Sequence, residues 1–276
     1  MHITVRSIDV HYQEVVAGVP VISLHGWPAE HGQMLAMMEP LFARRQGWRR
    51  IYVDLPGMGK TPGADWLTSH DLMLKLIAEF IEPVAGERAA LVGHSYGAQL
   101  VRGAPAARHW PICGCAAAVA WGDGRVAAAA RPVVLAEEPG FVAALRMEKP
   151  FLDLFVVRTM PVLDIVRAQA MPGVLAAGYN FLSRIDAGPS FSYLSEVPRP
   201  FPGPELICSG RQEPGGYQHL PALLQSYPRS TCAILDRAGH LLFAEQPRLF
   251  QALTSEWLYR AEEYLDADTS NGPEQT

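Results

Sequence analysis

The stretch Gly93-His94-Ser95-Tyr96-Gly97 limits what this chain can fold into more than any other. The apolar run Ala89–Val92 before it reads as a buried strand, and the Ala- and Leu-rich segment 96–107 after it reads as a helix. A serine with glycine two residues before and two after suits a sharp strand-to-helix elbow. Ser95 would sit there in a sparsely allowed conformation, while Gly93 and Gly97 carry no side chain to clash with the turn. Such a turn exposes the serine hydroxyl and aims the first N–H groups of the helix at whatever it attacks. The rest of the chain must then supply a histidine, an acid and a second N–H donor.

Taken in order, residues 2–16 alternate like one or two antiparallel edge strands. Val19–Leu24 is a buried strand ending in His25-Gly26-Trp27-Pro28, where the glycine lets the backbone turn close to a ligand and the Trp27 N–H is free to donate. The Trp27-Pro28 bond is a candidate cis peptide. A helix is expected over 33–45 and a strand over 48–55. The loop that follows that strand contains Gly59-Lys60-Thr61, which imitates a phosphate-binding loop but lacks the first glycine, since Asp54 stands in its place. Ser69 is the expected N-cap of a helix over 69–84, with Asp71 in its first turn. Another strand covers 112–121 and closes on Gly122-Asp123-Gly124.

The pattern then changes. From 122 to 203 amphipathic helical pieces are punctuated by prolines, with no buried strand expected among them, so this segment reads as a lid or second domain. Most of its apolar residues are expected to form a small core of their own. The remainder would line an apolar pocket, and Trp27, His94, Phe151, Phe155 and Tyr179 are the candidate substrate-binding residues. Strand-helix alternation resumes with a strand over 204–209 that stops at Gly210-Arg211-Gln212-Glu213. A helix over 219–227 and a strand over 231–235 follow, then Asp236-Arg237-Ala238-Gly239-His240 and a helix over 246–262. The expected organisation is a core of 1–121 and 204–264, a helical lid of 122–203, and a disordered tail of 265–276.

Composition excludes several classes. A net charge of −5 and a pI near 6.0 leave no basic footprint for nucleic acid. No stretch reaches the roughly eighteen apolar residues of a membrane span. The N-terminus lacks the profile of a secretory signal. Cys113, Cys115, Cys208 and Cys232 lie in apolar strand-like runs and read as buried free thiols. No histidine pair has metal-ligand spacing with a third ligand nearby, so no metal and no cofactor are expected. His31, His70, His109 and His219 read as surface or cap residues, and His25 as a holder of loop geometry. A cytoplasmic protein acting on a small molecule fits these features; oligomeric state is not legible.

Alternating strands and helices imply a mostly parallel sheet flanked by helices, whose functional loops lie at the carboxyl ends of the strands. Those ends carry His25-Gly26-Trp27, Asp54, Ser95, Asp123, Glu213 and His240. The order strand-His-Gly, strand-Gly-x-Ser-x-Gly, helical insertion, strand-Gly-Arg-Gln-acid, strand-Ala-Gly-His, helix resembles the α/β-hydrolase superfamily over roughly residues 2–262. The resemblance implies an α/β-hydrolase fold with an inserted lid. It implies Ser95 as nucleophile, His240 as general base, and the backbone N–H groups of Trp27 and Tyr96 as the oxyanion hole. It also implies Glu213 as the triad acid, in a loop where the family usually has aspartate; Asp123 occupies the other place where this fold can supply the acid.

The implied chemistry is hydrolysis of an ester, thioester, lactone or amide of a hydrophobic small molecule through an acyl-enzyme. Two other readings stand beside it. One is a cyclase, C–C bond lyase or cofactor-free oxygenase using His240 as base; the other is a receptor without turnover. Epoxide and haloalkane hydrolysis shares the His-Gly-Trp-Pro look, but those enzymes use an aspartate nucleophile where this chain has Ser95.

Overall fold

Period-two patterning near the N-terminus forms two antiparallel strands, β1 (His2–Val5) and β2 (Ile8–Val15). The computed structural model describes residues 1–103, 132–195, 201–213, 220, 224 and 227–270, and residues 112–115 as backbone. Apolar runs give β3 (Val19–Leu24), β4 (Trp48–Val53), β5 (Ala90–His94), β6 (Ile112–Cys115), β9 (Glu205–Gly210) and β10 (Ser230–Leu235). They form one sheet in the order β1-β2-β4-β3-β5-β6-β9-β10. It is parallel from β4 to β10, with β1 and β2 antiparallel at one edge.

Burial on both faces explains why the central strands read as continuous apolar runs rather than alternating ones. Successive residues still separate by face. Ala90 and Val92 pack with Met34, Met38 and Trp257, whereas Leu91 packs with Met73, Phe80 and Leu100. Helix α1 (His31–Phe42) and the C-terminal helix (Pro247–Ser270) cover the first face; α2 (His70–Ala85) and α3 (Tyr96–Gly103) cover the second. Ser69 caps α2 as expected, its Oγ accepting from the Leu72 N–H at 3.3 Å.

Between β6 and β9 the chain forms short helices at Phe141–Ala144, Met160–Gln169, Met171–Ala176 and Tyr179–Asp186. The insertion also holds two partly exposed strands, β7 (Ala136–Glu137) and β8 (Val157–Arg158), which pair in parallel and are too short to show periodicity in the sequence. One expectation about it is corrected: it does not keep a separate core. Phe141, Phe155, Leu163 and Val166 join the cluster around Met34 and Phe250, and Phe181, Leu182 and Phe191 join the cluster around Leu76. Helices of four to ten residues have too little apolar face to shield one another, so they bury it against the sheet's own helices.

A second correction concerns the tail. The C-terminal helix runs to Ser270, so residues 265–270 are helical rather than disordered. Trp257, Leu258, Ala261 and Leu265 continue one buried stripe, and Arg88 pairs with Asp266 at 2.7 Å. The expected helix over 219–227 and the end of the strand over 112–121 lie largely outside the described residues. Among the described residues no helix is long and apolar enough to cross a membrane.

Trp257 is fully buried and its indole N–H donates to the Pro204 carbonyl at 3.2 Å, tying the C-terminal helix to the start of β9. Trp257→Ala is expected to lower unfolding free energy by about 3–5 kcal/mol, read from urea denaturation.

Candidate active site

Parallel pairing of β3 with β5, with Leu24 opposite Gly93, brings the loop after β3 beside the turn after β5. Ser95 lies in that turn with φ of 51°, in the left-handed region that a non-glycine residue occupies only under strain. Space explains the glycine that follows. A Cβ on Gly97 would stand 2.1 Å from the Leu24 carbonyl oxygen and 2.7 Å from that of His25. The elbow is thus pressed directly onto the backbone of the His25-Gly26-Trp27 loop.

Gly26 is under the same constraint from the other side: a Cβ there would stand 2.8 Å from His94 Nδ1 and 3.1 Å from Ser95 Cβ. His25, fully buried, donates from Nδ1 to the Gly26 carbonyl at 2.8 Å and accepts the Leu55 N–H on Nε2 at 3.0 Å. Burial pulls its pKa down to about 4, as suits a neutral ring fixing a loop. The Trp27-Pro28 peptide is cis. The backbone N–H groups of Trp27 and Tyr96 have no acceptor among the described residues.

Pairing of β9 with β10, Gly210 opposite Leu235, sets the loops after these two strands side by side. There His240 Nδ1 lies 2.9 Å from Glu213 Oε1. Burial acts to lower the His240 pKa, but the Glu213 charge and hydrogen bond outweigh it and the pKa is raised. The His240 loop also meets the elbow: His94 Nε2 donates to the His240 carbonyl at 3.4 Å, and the two rings are 5.4 Å apart. His94 is held neutral, its pKa pulled down to about 3 by burial and by His240. Asp123 lies outside the described residues.

A cavity of about 80 Å³ opens beside these loops. Trp27, His94, Phe151, Phe155 and His240 border it, as do Gly26, Gln33, Glu148, Leu154, Val166, Met171 and Val174. Tyr179 does not. Half of its surface is exposed, and its hydroxyl donates to the Val174 carbonyl at 2.8 Å on the outside of the insertion.

A model of the alpha/beta hydrolase family matches residues 21–253. The chain belongs to the alpha/beta hydrolase family. Over 94 residues it is 31% identical to an AB hydrolase superfamily protein, YisY, of Bacillus subtilis (strain 168), a match spanning 34% of each chain. Among solved structures, it resembles an alpha/beta superfamily hydrolase from Oenococcus oeni PSU-1, with a TM-score of 0.79 at 23% identity over 95% of this chain and 99% of that one. It also resembles a thermophilic esterase from Thermogutta terrifontis, with a TM-score of 0.63 at 20% identity over 95% and 98%.

Several residues that hold these loops together were not singled out by the sequence. Glu245, buried one turn beyond His240, accepts the Gly239 N–H at 2.7 Å on one oxygen and those of Val156 and Val157 at 2.7 and 3.0 Å on the other. It therefore joins the histidine loop to the insertion. Burial raises its pKa against those three donors. His70, expected at the surface as a cap residue, is instead buried with Nδ1 3.0 Å from the Tyr96 hydroxyl. Spacing could not reveal either role, because both depend on contacts between distant loops.

His11, His31 and Asp54 offer possible ligand atoms within 4.8 Å of one another, a grouping that sequence spacing had hidden. The carboxylate is already occupied. Oδ1 accepts from the His31 N–H and Nδ1 at 2.7 and 2.9 Å, and Oδ2 from His11 Nδ1 and the Lys60 N–H at 2.8 and 3.0 Å. Four N–H donors satisfy both oxygens, so the cluster braces the start of α1 and the Gly59-Lys60-Thr61 turn rather than offering open ligands. Burial acts to raise the Asp54 pKa, but the His31 and Lys60 donors outweigh it and hold the carboxyl well below the usual range.

A depressed carboxyl pKa stabilises the fold above the ordinary value of 3.8, and that contribution is lost as pH falls toward the folded value. Asp54→Asn is expected to cost about 3 kcal/mol at pH 7. The deficit should narrow below pH 3.8, as followed by denaturant titration across pH.

Proposed function

We propose that this protein is a serine hydrolase that opens an ester, thioester, lactone or amide of a hydrophobic small molecule through an acyl-enzyme on Ser95. The observation that carries this reading is the His240–Glu213 pair, 2.9 Å apart, on a loop that meets, through His94, the turn holding Ser95 at positive φ. The hydroxyl of Ser95 attacks the carbonyl while His240 Nε2 takes its proton. Glu213 fixes the Nδ1–H tautomer and stabilises the imidazolium that forms. The unclaimed N–H groups of Trp27 and Tyr96 receive the oxyanion, a contribution whose loss costs about 10²–10³ in turnover per donor. The proton then passes to the leaving group, and water activated by His240 releases the acid and restores Ser95. The insertion serves as a lid, its Phe151, Phe155 and Met171 keeping bulk water from the reacting carbonyl.

A fluorophosphonate is expected to label Ser95 alone, identified by mass spectrometry; folded protein left unlabelled there overturns the covalent mechanism. Ser95→Ala should reduce turnover of a short-chain nitrophenyl ester by about 10⁴-fold or more.

The base must be neutral, and its raised pKa places the acid limb of kcat/KM above pH 6.5. Glu213→Gln removes the cause of the raise and leaves the burial that lowers it. The limb should therefore move to lower pH while the plateau drops. A limb that stays in place sinks the assignment of Glu213 as the acid.

A further inference from the structure

Gln33 lies in the first turn of α1, nearly buried, and borders the cavity. Its Oε1 accepts the Gly26 N–H at 3.0 Å, which fixes which end of the amide is which: the oxygen must face Gly26. The Nε2 group, turned the other way, has no acceptor among the described residues and is not among the sealed, unpartnered atoms of the interior. It therefore opens on the cavity. The surrounding wall is apolar, with Trp27, Leu154, Phe155 and Val174.

Among the described residues no Lys or Arg borders the cavity. The ionised group there is Glu148, whose carboxyl is pulled down to about 2 by the Arg167 hydrogen bond at 2.7 Å and has its charge partly offset by that guanidinium. An anionic substrate would meet a carboxylate in the wall and, among the described residues, no Lys or Arg. A purely hydrocarbon substrate would displace water from Nε2 and leave a buried donor unpaired, a loss on the order of tenfold in affinity.

We propose that Gln33 Nε2 is the specificity donor of this site. It takes a hydrogen bond to one oxygen that the substrate carries apart from its scissile carbonyl. The preferred substrates are neutral, mainly apolar esters or lactones bearing an ether, hydroxyl or further carbonyl oxygen at one set distance. This rests on the serine-hydrolase reading for the scissile bond, but not for the contact itself. Gln33 has a second effect through its other end, since Oε1 positions the Gly26 amide and with it the Trp27 N–H.

Matched positional isomers separate the two effects. A hexanoate-length chain in which an ether oxygen replaces one methylene at each successive position, offered both as acyl chain and as alcohol, keeps polarity nearly constant while moving the acceptor. Wild-type protein should favour one position in kcat/KM by about fivefold or more over its isomers. Gln33→Leu should level the isomers and lower turnover of all. Gln33→Glu keeps an oxygen for Gly26, and should level them with a smaller loss in kcat. A uniform loss across all isomers in Gln33→Leu, with the preference kept, overturns the proposal. So does a wild type that does not discriminate, or one that favours the ω-carboxylate analogue.

The same isomers titrated against Ser95→Ala protein, followed by tryptophan fluorescence, must show the same preference and lose it when Gln33→Leu is added. That pattern surviving without ester turnover in the wild type would sink the serine-hydrolase reading alone. No positional preference in binding overturns the Gln33 assignment whatever the chemistry.

Discussion

Backbone is packed against backbone at the candidate site: a Cβ on Gly97 would collide with the carbonyls of Leu24 and His25. Much of the site follows from it. Because nothing but hydrogen fits at Gly97, the elbow after β5 and the loop after β3 interlock. The parallel register of β3 and β5 makes the approach possible, and burial of both strands on both faces makes that register costly to slip. Strain at Ser95 is thereby held by packing on either side rather than relieved.

Polar interactions then hold in place what packing brings together. Three buried or nearly buried carboxylates act as braces, each stapling a different loop. Asp54 gathers four N–H donors from His11, His31 and Lys60 under the loop after β3. Glu245 joins the Gly239 amide to the insertion at Val156 and Val157. Glu148 secures the insertion's own turn to Arg167. A carboxylate removed from water is costly unless its lone pairs are met, so each brace works only while all its donors are in place. The site's rigidity is therefore shared among loops that have no hydrophobic core of their own.

Legibility in the sequence follows this division. Central strands, the elbow, the Ala-Gly-His turn and the Ser69 cap are visible because each is local: an apolar run, a glycine spacing or a capping serine states its own structure. Strand ends alone pick out Trp27, Asp54, Ser95, Asp123, Glu213 and His240, and the family resemblance adds Tyr96. The insertion was read less well. Its strands are two residues long, and its apolar residues pack into the main clusters, which no periodicity within short helices can announce. Tyr179 illustrates the difficulty. An aromatic residue in the insertion reads alike whether it faces the cavity or, as here, water. The C-terminal helix was cut short for a related reason. Polar residues after Leu265 resemble a tail until Arg88 is seen across from Asp266.

Gln33, Glu148 and His31 escape notice for a deeper reason: their roles depend on which end of a side chain is already engaged. A glutamine in the first turn of a helix is unremarkable in sequence. Once Gly26 claims its oxygen, the remaining NH₂ has a fixed direction, toward a cavity whose wall is mostly apolar. A single backbone N–H thus fixes how the loop after β3 is held and, on the proposed reading, what polarity a substrate must present. The two functions cannot be tuned separately at this position. Any change that widens the substrate range by removing the donor also loosens the loop, unless an oxygen is kept for Gly26. On the proposed reading, a substrate that satisfies Nε2 has a second effect: it steadies the acceptor end that holds the Gly26 loop as well. Binding energy remote from the scissile bond is in this way available to the reacting carbonyl.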